Sequence, residues 1–205
     1  WVIAYKITHE ITQKPDWKYP MLGIGIKKMR IMMEKKLRKT AIKSVFDMDE
    51  NKIKILFICH GNICRSTMSQ FVFQDLVNKR GLKDKFYIDS AATSREEIGN
   101  RPHYGTVSKL GQVGVPVLEH YAVQMTRQDY EDYDFLIGME RFNLRNMKRI
   151  TGGDPDGKMH LLLDFSEHPR DISDPWYTGN FDETYRDVKE GCEALLAYLI
   201  ENSYI

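Results

Sequence analysis

The segment Cys59-His60-Gly61-Asn62-Ile63-Cys64-Arg65-Ser66 gathers a nucleophile, a guanidinium and two turn-tolerant residue types in one short stretch. The thiolate is the reactive form of cysteine, and a helix N-terminus with a basic side chain beside it favours the thiolate. Arg65 offers a planar fork of donors that matches two oxygens of a phosphate. The same fork suits the dispersed charge of a phosphoryl group in transfer. Gly61 and Asn62 accept left-handed or tight backbone geometry, which a loop needs to turn its N–H groups onto an anion. Ser66 is placed to donate its hydroxyl to the sulfur and help it leave. His60 has no derived role of its own, and counts with Ile63 and Cys64 as part of the phosphate-binding loop. Two blander readings compete. Cys59 fits a small buried hydrophobe at a strand end, and Cys59, His60 and Cys64 are potential metal ligands. The metal reading needs a fourth donor, and Cys192 is the one cysteine left of three. Neither a metal nor a cofactor is therefore expected.

The weight of the pair Cys59 and Arg65 comes from the elements around it. Ile53-Lys54-Ile55-Leu56-Phe57-Ile58 is a run of β-formers, read as a buried strand. A helix is expected over 67–80, with Met68, Phe71, Val72, Leu76 and Val77 at helical spacing and Gly81 at its end. The loop thus lies between a strand and a helix N-terminus, where unpaired N–H groups and the helix dipole favour an anion. Further strands are expected at 86–88, 135–137 and 159–163, and further helices at 104–113, 141–149 and 182–201. This alternation predicts an α/β three-layer sandwich. Its four-stranded parallel sheet carries helices on both faces, with the phosphate-binding loop after the first strand. Ligands in such sheets sit at the carboxyl ends of the strands.

Composition bounds the rest. The 205 residues suffice for one well-buried domain and an appendage. No apolar run approaches the ~20 residues that span a bilayer, and the first twenty residues lack the apolar core of a secretory signal. Three cysteines do not make a disulfide framework, so a reducing, cytoplasmic setting is expected. Up to Lys54 there are thirteen Lys or Arg against six Asp or Glu, while the remainder is acidic. That asymmetry speaks against a nucleic-acid-binding core. Residues 1–51 are expected to form a basic N-terminal extension, helical over 27–46, and residues 52–205 the catalytic domain. The extension reads as a solvated helical leader, or in a minority reading as a dock for an acidic partner or anionic membrane. Trp1 in first place, where Met is usual, fits a fragment or a processed product.

The loop resembles the active-site signature of the low-molecular-weight protein tyrosine phosphatases. The resemblance runs from about residue 52 to the C-terminus and includes Asp89-Ser90-Ala91-Ala92-Thr93-Ser94, Asp134-Phe135-Leu136-Ile137-Gly138-Met139 and Asp174-Pro175-Trp176-Tyr177. It implies a phosphocysteine intermediate on Cys59, Arg65 as phosphate clamp and Asp174 as general acid and base. A departing phenolate needs that proton, and a positioned acid typically contributes ~10²–10⁴-fold. Without the resemblance, Asp174-Pro175 reads as a plain turn. The resemblance also implies that Ser90 and His120 hydrogen-bond to Asn62. Trp176 and Tyr177 would wall the cleft and stack on the substrate ring. Two cysteines in one loop further imply that oxidised Cys59 is captured by Cys64 as a reversible disulfide.

This chain departs from the family pattern in places. Thr67 stands where proline is common, a mild change at a helix start. Glu96 stands where many members place an aromatic, and a carboxylate there would repel acidic phosphopeptides. The partners implied are phosphotyrosine proteins and a cognate tyrosine kinase, with no nucleic acid. A thioredoxin-coupled arsenate reductase would need more cysteines, and none lies between Cys64 and Cys192. A protein arginine phosphatase carries a smaller, polar residue in place of Ile63. The third alternative is a phosphoprotein-binding regulatory module, against which the complete set of Cys59, Arg65 and Asp174 argues.

Overall fold

The computed structural model describes residues 52–205. The basic helix expected over 27–46, and the rest of the N-terminal extension, lie outside the described residues. Four strands form one sheet: β1 (Ile53–Cys59), β2 (Phe86–Ala92), β3 (Phe135–Gly138) and β4 (Met159–Leu161). Their order is β2-β1-β3-β4 and every pairing is parallel. The connecting helices are α1 (Arg65–Lys79), α2 (Tyr104–Val113), α3 (Arg127–Asp132), α4 (Arg141–Thr151), α5 (Pro175–Thr178) and α6 (Phe181–Glu201).

Both faces of β1 are buried, which explains why it reads as a nearly continuous apolar run. Ile53, Ile55 and Phe57 point into one core with Phe71 and Val72 of α1 and Leu195 and Leu196 of α6. Leu56 and Ile58 point the other way, onto Tyr130 of α3 and Met147 of α4. The period-2 alternation of a strand produces this division. The expected three-layer sandwich, with its four-stranded parallel sheet and helices on both faces, is the fold observed.

The boundaries differ in instructive ways. Cys59 is the last residue of β1, paired with Ala92 of β2, where the sequence placed the strand end at Ile58. Helix α1 begins at Arg65 and so includes the last residues of the loop. The fourth strand stops at Leu161 and continues as a 3-10 turn over Leu162–Phe165. Helix α3 was not expected, because its six residues RQDYED show one buried position, Tyr130, and hence no periodicity. Helix α5 was read as a turn; Asp174 caps it, with its side chain accepting from the Trp176 N–H at 3.1 Å.

Candidate active site

The site is built at the carboxyl end of β1. The strand delivers Cys59 there, and the loop is tied to the sheet edge beyond β2. Thr93 N–H donates to the Cys59 carbonyl at 2.9 Å and Ser94 N–H to that of His60 at 3.0 Å. From the other side, His103 N–H holds the Ile63 carbonyl at 2.8 Å. A cleft of about 110 Å³ opens over the loop, lined by Cys59, Ile63, Arg65, Asp174, Trp176 and Tyr177 among others.

The Asn62 side chain organises the loop. Its Nδ2 donates to Ser66 Oγ and to Ser90 Oγ, each at 2.9 Å. Its Oδ1 accepts from Val123 N–H at 3.1 Å and meets His120 Nε2 at 3.0 Å. Both amide donors and both lone pairs are thus engaged. Since Oδ1 only accepts, His120 carries a proton on Nε2. Burial pulls the His120 pKa below its ordinary value, against the opposing influence of Asp89 and the Asn62 hydrogen bond. Ser90 in turn donates to Gln70 Oε1 at 2.6 Å, tying the network into α1. This network holds Asn62 at φ +58°, in the left-handed region that asparagine tolerates. Gly61 has a different role from the one expected. Its φ is not positive; instead a Cβ there would lie 3.1 Å from Glu97 Cγ, so the missing side chain makes room for Glu97.

Two donors converge on the sulfur. Asn62 N–H points at Cys59 Sγ from 3.3 Å, and Ser66 Oγ lies 3.1 Å away. Because Ser66 Oγ already accepts from Asn62, its own hydrogen is available to the sulfur. Arg65 is 1% exposed and gripped from several sides. Its Nη1 donates to Glu140 Oε1 at 2.9 Å and to the Ile172 carbonyl at 3.1 Å, and its Nη2 is hydrogen-bonded and ion-paired to Asp174 Oδ2. Burial works against the guanidinium charge, but Cys59, Asp174 and Glu140 outweigh it and raise the Arg65 pKa. Its Nε is buried with no hydrogen-bond partner among the described residues. An anion over the loop would supply one.

The cleft walls bring residues together that lie far apart in sequence. Trp176 and Tyr177 are exposed on α5, and the His103 ring, edge-on to Trp176 at 5.7 Å, stacks on Phe181 at 5.3 Å. Glu96 reaches His60 Nε2 at 2.9 Å, which gives both residues a structural partner that their types alone did not announce. Cys64 is buried next to Cys59 in the loop. Burial above all, with added repulsion from Cys59 and Asp174, pushes its thiol up to about 12. Glu140, Glu97 and His103 were missed in the sequence. Each is an isolated polar residue whose position at the cleft depends on how the loops after β2 and β3 return to the sheet end. Among the described residues no group of His, Cys, Asp and Glu is arranged to hold a metal.

Comparison with known proteins gives the family and the fold. Residues 54–204 match the family model described as low molecular weight phosphotyrosine protein phosphatase. The chain is 41% identical over 147 residues to the low molecular weight protein-tyrosine-phosphatase YfkJ of Bacillus subtilis, covering 71% of this chain and 94% of that protein. Its crystal structure superposes with a TM-score of 0.71 at 39% identity, covering 74% and 96% of the two chains. The human low molecular weight phosphotyrosine protein phosphatase is 35% identical over 147 residues, 69% of this chain and 92% of its own length. The crystal structure of the Drosophila arginine phosphatase DARP is similar at 29% identity and a TM-score of 0.66, covering 71% of this chain and 97% of its own. The chain described over residues 52–205 belongs to the low molecular weight phosphotyrosine protein phosphatase family.

Proposed function

We propose that residues 52–205 form a protein tyrosine phosphatase domain working through a phosphocysteine. The observation that carries this reading is the convergence of Asn62 N–H and the Ser66 hydroxyl on Cys59 Sγ, with the Arg65–Asp174 pair in the same cleft. The phosphate of a phosphotyrosine protein docks on the loop. Arg65 turns donors now held by Asp174, together with its unpartnered Nε, to the phosphate oxygens. Cys59 Sγ attacks phosphorus, the bond to the phenolic oxygen breaks, and Asp174 protonates that oxygen as it leaves. In the second half, water attacks the phosphocysteine and Asp174 takes its proton. The S–P electron pair returns to Cys59 Sγ, where the Ser66 hydroxyl meets the charge, and inorganic phosphate departs.

Trp176, Tyr177 and Ile63 favour an aromatic leaving group, since flat apolar walls bury a ring better than a guanidinium. The similarity to an arginine phosphatase makes phosphoarginine the second reading. A reducing compartment such as the cytoplasm suits this chemistry, because Cys59 must stay a free thiol. Hydrolysis of p-nitrophenyl phosphate, phosphotyrosine peptide and phosphoarginine peptide by wild type, Cys59→Ser and Asp174→Asn tests the proposal. Turnover is expected to vanish in Cys59→Ser with phosphate binding kept. In Asp174→Asn it should fall by ~10²-fold or more, most for poor leaving groups. A wild type inert toward p-nitrophenyl phosphate would sink the enzyme reading, and faster turnover of phosphoarginine would replace the substrate.

A further inference from the structure

One wall of the catalytic cleft is a single side chain thick. His60 lines that cleft and also a second groove of about 370 Å³, shared with Ser94, Phe142, Arg149 and Ile150. The His60 and Phe142 rings lie 6.5 Å apart across it. An extended peptide advances about 3.3–3.6 Å per residue. Because the two cavities share His60, a residue one or two positions from a phosphotyrosine held on the loop is within reach of this second groove.

The groove has one sign of charge. Among the described residues, Arg149 lines it and no carboxylate does. The Arg149 guanidinium donates to Asn146 Oδ1, which holds it at the groove and occupies one of its five donors. Arg145 and Arg141, four and eight residues earlier on α4, are exposed and extend a basic stripe along one helix face. The Arg145 guanidinium sits over the Phe142 ring, 4.9 Å from its centroid. Of the nearby carboxylates, Glu96 is paired with His60 and Glu140 with Arg65, while Asp171 accepts from the Arg141 backbone N–H at 3.2 Å, at the far end of the stripe from Arg149. On the inner wall, Thr93 Oγ1 is buried with no hydrogen-bond partner among the described residues.

We propose that this groove is a specificity subsite for an acidic side chain flanking the phosphotyrosine. Arg149 reads the carboxylate, and Phe142 and Ile150 cover the methylenes of the guest. The proposal rests on the cleft being a phosphotyrosine site. It also changes what Glu96 does: tied to His60, that carboxylate braces the wall between cleft and groove, and its repulsion of acidic peptides is blunted.

The test is steady-state kinetics on phosphotyrosine peptides that differ only in Glu, Ala or Lys at the two positions on each side. Wild type, Arg149→Ala and Arg149→Glu are compared, with p-nitrophenyl phosphate as a substrate too small to reach the groove. Wild type is expected to prefer Glu over Lys on one flank by about tenfold in kcat/KM, a preference that shrinks at high salt. Arg149→Ala should remove most of it and Arg149→Glu should invert it, with p-nitrophenyl phosphate turnover changed less than about twofold. Equal wild-type turnover of Glu and Lys peptides, or a preference that survives Arg149→Glu, would overturn the subsite alone. Absence of p-nitrophenyl phosphate turnover in wild type would overturn the phosphatase reading and the subsite with it.

Discussion

At Cys64 the chemistry turns on the difference between two thiols in one loop. Cys59 receives two hydrogen-bond donors at its sulfur, whereas burial pushes the Cys64 thiol up to about 12. Peroxide should therefore oxidise Cys59 first, and Cys64 should act as the resolving partner. Wild type treated with peroxide is expected to regain activity on addition of dithiothreitol, while Cys64→Ser regains little; equal recovery would remove the redox role. His120 makes a second prediction. Its pKa is lowered in the fold by burial, so between that lowered value and the ordinary 6.5 the unfolded chain binds the extra proton. The stability His120 contributes is then present above pH 6.5 and lost as pH falls through the folded value. Melting temperatures at pH 7.5 and pH 5 should drop more for wild type than for His120→Gln, whose amide still donates to Asn62. An identical acid drop in both proteins would exclude His120 as the titrating group.

Among the elements, α2 and the start of α6 shape the cleft without touching its chemistry. Gly105, in the first turn of α2, leaves the space that the Phe181 ring fills; a Cβ there would lie 2.3 Å from Phe181 Cε2. Phe181 carries the stacked His103, and His103 meets Trp176 on the cleft wall. Gly105→Ala should destabilise the fold by about 1–3 kcal/mol through overpacking. It should also raise KM for phosphotyrosine peptides more than it lowers kcat, because it disturbs the wall and leaves Cys59 and Arg65 alone. Denaturant unfolding and peptide kinetics on the same variant check both parts. Little of this stack was legible in the sequence. Gly105, His103 and Phe181 are unremarkable types at unrelated spacings, and the packing of α2 on α6 alone brings them into contact.

At the scale of the molecule, the unit that carries the family resemblance and the sheet begins at about residue 52. Among the described residues, the two large apolar clusters on either side of the sheet, and a small one of Ile63, Cys64 and Ala122 at the loop, are built from Ile53 onward. A protein of residues 52–205 is therefore expected to fold alone and keep the p-nitrophenyl phosphate kinetics of the full chain within about twofold, as independent sites do. A piece that aggregates or unfolds when expressed alone, judged by circular dichroism and size-exclusion chromatography, would assign residues 1–51 a part in the fold. Among the described residues no helix is long and apolar enough to cross a membrane.

The sequence by itself determined the strand–loop–helix unit and the local order of nucleophile, turn residues and guanidinium within it. Those are short-range properties, set by apolar runs, turn types and a helix start, so they survive without knowledge of the fold. Asp174 reached its place through resemblance alone, since 109 residues separate it from Arg65 and nothing local marks an Asp-Pro turn as an ion-pair partner. Tertiary structure decided the rest. The parallel sheet brings the ends of β1, β2 and β3 side by side; β2 carries Ser90, which with His120 the resemblance had already assigned to Asn62, and the loops beyond the strands bring Glu96 to His60 and Glu140 to Arg65. Loop register and helix packing set those contacts, and neither has a periodic signature to read. The pairing of Glu96 with His60, and the groove behind it, belong to that second kind of information.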